Sequence, residues 1–222
     1  MDLVLTPVVE FSPSKYQSSD HPWPTLTSAE SPQAWDTYWR TCLNDAGIGD
    51  LKPVEVGSQW VPVRHLLEVH VLDALLHAEL GDVDEWCADF ISPLEGGYIL
   101  ATSKVHLRPG CCGDLSNLEE WRRAAEHQSE NWAMVWIGHP WTHVCAKADT
   151  LTFLPPTEAD PPVDPKALCH LPREALKAAV DAADEVVRAF GERLRPRIAA
   201  MDPTVPVDDV LEVMLRGHSS VD

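Results

Sequence analysis

The residues best equipped for chemistry lie in two short runs, Arg108-Pro-Gly-Cys-Cys-Gly-Asp-Leu115 and Gly138-His-Pro-Trp-Thr-His-Val-Cys145. In the first, Gly110 and Gly113 permit backbone angles that other residues avoid. Cys111, Cys112 and Asp114 stand just ahead of an expected helix start. A helix N-terminus lowers the pKa of a nearby thiol and attracts anions. Cys111 or Cys112, paired with His139 or His143, would then form a cysteine nucleophile with its base. Packing offers a plainer account, a tight strand-to-helix turn with two small buried side chains and Asp114 bonded to the loop. No third residue that would orient the histidine is identifiable, and adjacent cysteines seldom both serve.

The second run suggests a metal. His139, His143 and Cys145 can all ligate zinc, and Cys111 or Cys112 could supply a fourth ligand. Zinc motifs of high specificity present closely paired ligands twice over, and this run does not. Pro140 also keeps the two histidines off a shared helical face. His70, Asp73 and His77 do share one, at spacings of three and four, although such groups also serve at the edge of a buried helix. There is no P-loop, no Gly-x-Gly-x-x-Gly, no nucleophile elbow and no His-Glu-x-x-His. No metal and no cofactor are therefore expected.

A third cluster suits binding better than catalysis. Asp82, Asp84, Glu85 and Asp89 surround Trp86. Such charges can steer a basic surface inward while the indole supplies buried area. The same residues also fit a solvated loop and a capped helix start. Of nine tryptophans, Trp132 and Trp136 share one strand face with Met134, which predicts packing against a helix or an aromatic patch for a partner.

Charge narrows the partners. The 222 residues carry 35 acids against 17 bases, a net of −18. Sixteen of those acids and only Lys15, Arg40, Lys52 and Arg64 fall in residues 1–100, a net of −12 for that half. Such a field repels phosphate backbones and anionic lipid, and it speeds encounter with basic proteins, although solubility alone also accounts for it. Nucleic acid and membrane are thus not expected partners, and a basic protein is. Met1–Glu10 has an acid at position 2 and neither a basic nor a long apolar stretch, so a cytoplasmic chain with reduced, mostly buried cysteines is expected.

The elements that must hold these residues can be read from periodicity. Leu3–Phe11 is β-branched and alternates, so it predicts a strand. Ser31 and Pro32 open a helix that Gly47 ends, with Trp35, Trp39, Cys42 and Leu43 on its apolar side. Val63–Leu80 is apolar on most sides and predicts a central helix, with a strand over the alternating Leu67–Val71 as the alternative. Tyr98–Leu107 reads as a strand, Ser116 with Glu119 as a capping box, and Leu118–Ala125 as a short helix. Trp132–Ile137 and Val144–Leu154 predict a hairpin around Gly138–Trp141. Five prolines between 155 and 165 predict an extended connection without regular structure.

Pro172–Ile198 then carries the longest helical stripe, with Pro196 a candidate early stop, and a last helix covers Val207–Leu215. The order predicts a single α+β domain over 1–222, a small antiparallel sheet packed under helices, ending in a helical segment at 172–216.

The run from Pro109 to Leu118, followed by Trp121 and by Trp136-Ile-Gly-His-Pro-Trp141, resembles small bacterial immunity proteins of polymorphic toxin systems. The likeness covers about residues 95–158. It implies an acidic, cytosolic, Trp-rich α+β protein that blocks a basic toxin or effector by surface complementarity, with no chemistry of its own. It assigns no site residue. The competing expectation is a thiol-dependent hydrolase or transferase using Cys111 or Cys112 with His139 or His143.

Overall fold

Two four-stranded antiparallel sheets and five α-helices form this α+β chain, whose computed structural model describes residues 3–81, 86, 90–161 and 165–217. The first sheet has the order β2-β1-β3-β4, from strands β1 (Val4–Glu10), β2 (Trp60–Pro62), β3 (Gly96–Ala101) and β4 (His106–Leu107). β1 is its centre, pairing Val8 with Pro62 on one side and Leu5 with Leu100 on the other. The second sheet runs β5-β6-β7-β8, from Ala133–Val135, Thr142–Lys147, Thr150–Phe153 and Cys169–Pro172.

The helices are α1 (Pro32–Asp45), α2 (Val69–Leu80), α3 (Leu118–Glu126), α4 (Arg173–Met201) and α5 (Val207–Arg216). One hydrophobic cluster joins both sheets. α4 is its spine, because Leu176, Val180, Val187, Phe190 and Leu194, with Ala183 between Val180 and Val187, recur at three and four residues and all face inward. Each such burial contributes roughly 1.5–3 kcal/mol. α4 packs on β1, α2, α3 and α5. No described helix is long and apolar enough to cross a membrane.

Several expected elements are subdivided. The apolar stretch from Val63 makes one 3-10 turn (Val63–His65), and α2 starts only at Val69. Leu66 and Glu68 are non-helical there, and Leu67 stands 58% exposed. Pairing of β2 with β1 and full burial of Leu66 fix the chain extended at this point, and tertiary packing overrides helix propensity. The expected strand over 98–107 turns back at Thr102, whose Oγ1 accepts from the amides of Lys104 and Val105. Val144–Leu154 likewise divides into β6 and β7, reversing where Ala148 takes a φ of 50°.

β8 lies just after the proline-rich connection at 155–165, where no strand was expected. Its Leu171 is fully buried and pairs with Leu151 of β7. Pro196 does not stop α4, which continues to Met201 because Ile198 is fully buried and Arg197 forks onto Asp73 of α2 at 2.6 and 2.7 Å. The β5 face is inverted relative to expectation: Val135 and Ile137 point inward, whereas Met134 is 53% exposed and Trp132 and Trp136 are half-buried. The hairpin itself forms in the expected place, pairing Ala133 with Val144 and Val135 with Thr142.

Candidate functional site

The two chemistry-bearing runs meet. Residues 108–115 form a strap between the sheets. On one side, the Gly96 amide donates to the Gly113 carbonyl at 2.8 Å and the Leu115 amide to Leu94 at 3.0 Å. On the other, the Gly110 amide donates to Ile137 at 2.7 Å, and Cys111 and His139 exchange a pair of backbone bonds at 2.9 and 2.8 Å. Two glycines allow this approach. A Cβ on Gly110 would collide with the His139 carbonyl, and one on Gly138, where φ is 96°, with the carbonyls of Cys111 and Gly110.

The backbone pairing carries side chains with it. The Cys111 and Cys112 sulfurs and an imidazole nitrogen of His139 all lie within 4.8 Å of one another, and all three residues are exposed. Cys112 adopts a φ of 60°, a left-handed conformation uncommon for a residue with a side chain. The His139 ring stands edge-on to Trp136 at 4.6 Å and to Trp141 at 5.6 Å, and those two indoles stack at 6.0 Å. The imidazole is thus braced by aromatic rings.

The electrostatics disfavour a thiolate at Cys112. Contact with the Cys111 thiol pushes the Cys112 thiol above its ordinary pKa, followed by slight desolvation and by the Glu95 and Glu10 carboxylates. The helix N-terminus that was expected to lower it is already satisfied. Asp114 and Asn117 form the capping box, with the Ser116 amide donating to Asp114 Oδ1 at 2.8 Å and the Asp114 amide to Asn117 Oδ1 at 3.1 Å. This replaces the box expected from Ser116 and Glu119. A 3-10 turn (Leu115–Asn117) then separates the cap from α3.

His143 and Cys145 do not join the trio. His143, 5% exposed on β6, has an Nδ1 without a hydrogen-bond partner among the described residues, and burial lowers its pKa. Cys145 is half-buried beside Thr152, with its thiol pushed up by burial. The ligand set His139, His143 and Cys145 is therefore not assembled. Among the described residues, Cys111, Cys112 and His139 are the one cluster of three metal-capable side chains. His70 and His77 gain no third ligand from Asp73, which is held by Arg197. Of the other described cysteines, Cys42 is buried and Cys169 half-buried. The paired cysteines at 111 and 112 are exposed, contrary to the packing account of the turn.

Asp82, Asp84, Glu85 and Asp89 lie outside the described residues. Trp86 is half-buried against the core, and its Nε1 donates to Asp202 at 3.4 Å, so its ring is partly engaged within the chain. A second aromatic group escaped the sequence reading. Trp23, 62% exposed, contacts Trp35 and Tyr38 with ring centroids 5.6 and 5.1 Å apart. Its signal was the Pro-flanked His21-Pro-Trp-Pro24 run, whose residues suit a loop and gave no periodicity to follow.

Most lysines and arginines are paired internally. Lys15 holds Glu79 at 2.9 Å and Glu95 at 3.0 Å, Arg40 holds Asp36, and Arg108 pairs with Glu55. Arg195 and Arg216 pair with Asp208 and Asp184. Compared with family models, characterised proteins and solved structures, the chain matches none.

Proposed function

We propose that this chain is an acidic protein-binding module that recognises a basic protein surface, such as that of a toxin or effector it neutralises. The observation that carries the reading is the charge left after internal pairing. Ten of the 17 lysines and arginines pair with acids of the same chain, which leaves acids in excess, a net of −18 with −12 of it in residues 1–100. Exposed Trp23, with Trp35 and Tyr38 behind it, supplies an aromatic anchor in that same half. The acids at 82, 84, 85 and 89, which lie outside the described residues, add negative charge close in sequence to Trp86. Capture from lysate of the source cells on the immobilised chain tests the reading. Recovery of a basic protein, lost when Asp82, Asp84, Glu85 and Asp89 are replaced by their amides, supports it. Recovery of none contradicts it.

The convergence of Cys111 and Cys112 on His139 favours a second reading, a thiol-dependent hydrolase or transferase. That reading requires an iodoacetamide-reactive thiol well below pH 8. With Cys112 held above its ordinary pKa, we expect slow labelling of Cys112 at pH 6.5 that rises only in alkaline solution.

A further inference from the structure

We propose that Cys111, Cys112 and His139 form a surface site for one zinc ion, with a fourth coordination position open to solvent or to a ligand. The site is independent of the partner-binding reading.

Three observations converge on it. First, the ligand atoms are already gathered within 4.8 Å of one another. Tetrahedral zinc with bonds of about 2.3 Å to sulfur and about 2.0–2.1 Å to nitrogen places its ligands roughly 3.3–3.8 Å apart. Rotation about exposed side-chain bonds closes a difference of that size. Second, packing does not explain the residues, because two adjacent thiols and an imidazole stand in solvent, and Cys112 holds a left-handed backbone conformation. Such conformations persist where the surroundings enforce them, here the strap bonds on both sides of Cys112. Third, the scaffold is preorganised. Backbone exchange between Cys111 and His139 fixes their separation, and Trp136 and Trp141 restrict the imidazole.

The donor set selects the metal. Two sulfurs and one imidazole suit borderline-soft zinc over magnesium or calcium, which take oxygen ligands. On binding, each cysteine releases its thiol proton to solvent, and His139 ligates through a neutral ring nitrogen. The Glu10 and Glu95 carboxylates, near enough to act on Cys112, add attraction for a cation. Three protein ligands and a vacant fourth place are the arrangement in which zinc polarises a bound water or accepts an external ligand.

The test uses the full, reduced chain. Zinc titrated by calorimetry should bind with one equivalent and a Kd below about 1 μM. Cobalt(II) added instead should give a thiolate charge-transfer band and tetrahedral visible bands, and should quench tryptophan fluorescence through Trp136 and Trp141. Cys111→Ser, Cys112→Ser and His139→Gln should each weaken zinc by at least about tenfold, whereas Cys145→Ser and His143→Gln should not. Binding weaker than about 100 μM, a cobalt spectrum without the thiolate band, or loss that follows Cys145 would overturn the site. The cobalt spectrum is read on the unsubstituted chain, so the outcome does not depend on any variant folding.

Discussion

At Gly138 the chain passes so close to Cys111 that a single methyl group has no place to go. Gly138→Ala is expected to cost about 1–3 kcal/mol, combining the positive φ with the collision, and denaturant unfolding measures it. Glu10 behaves differently. Burial first, and then the Glu95 carboxylate, raise its pKa, against the opposing effects of Trp60 and Lys15. Its folded pKa thus exceeds the unfolded one, so its stabilising contribution is complete below pH 4.5 and lost as pH rises through the folded value. Glu10→Gln should raise the thermal midpoint at pH 7 and leave it unchanged at pH 3.5. An equal gain at both values would contradict the account.

At this scale the sequence was partly legible. The cysteine pair, the glycines and His139 stood out by type. Which histidine joins the sulfurs depends on the pairing of Cys111 with His139 across 28 positions, a register that local spacing does not encode. The exposure of the cysteines was equally hidden, since residue type favours burial and only the strap geometry turns them outward.

Among the elements, legibility followed length and periodicity. α4 was evident because its apolar stripe repeats over many turns, whereas four-residue β8 follows a proline-rich stretch and alternates too briefly to register. The face of β5 departs from the alternation pattern for a related reason. Three large apolar residues at alternate positions pointed one way, yet Val135 and Ile137 are the ones enclosed. Two substitutions separate these cases. Leu171→Ala should cost about 2–5 kcal/mol, as for a fully enclosed leucine. Met134→Ala should change stability by less than about 0.5 kcal/mol. Comparable losses at both positions would mean that β5 faces the core as first expected. Asp114→Ala should remove about 1 kcal/mol by freeing the amides ahead of α3, read by the same unfolding curves.

For the whole molecule, surplus negative surface is the property that composition conveyed outright, since internal pairing cannot cancel 35 acids with 17 bases. What composition could not convey is where aromatic area emerges. Trp23 is exposed because its proline-flanked loop lies over α1 with Trp35 and Tyr38 beneath it. A binding surface built from charge and one aromatic anchor has a kinetic signature. Long-range attraction governs the encounter and is screened over roughly 10 Å at 0.1 M salt, while the anchor governs release. Trp23→Ala should therefore speed dissociation and leave association nearly unchanged.

The most direct measurement is the association rate of the full chain with its captured basic partner as ionic strength rises. That rate should fall at least about tenfold between roughly 0.02 and 0.3 M salt, with little change in dissociation. An association rate indifferent to salt, or a partner carrying net negative charge, would contradict it.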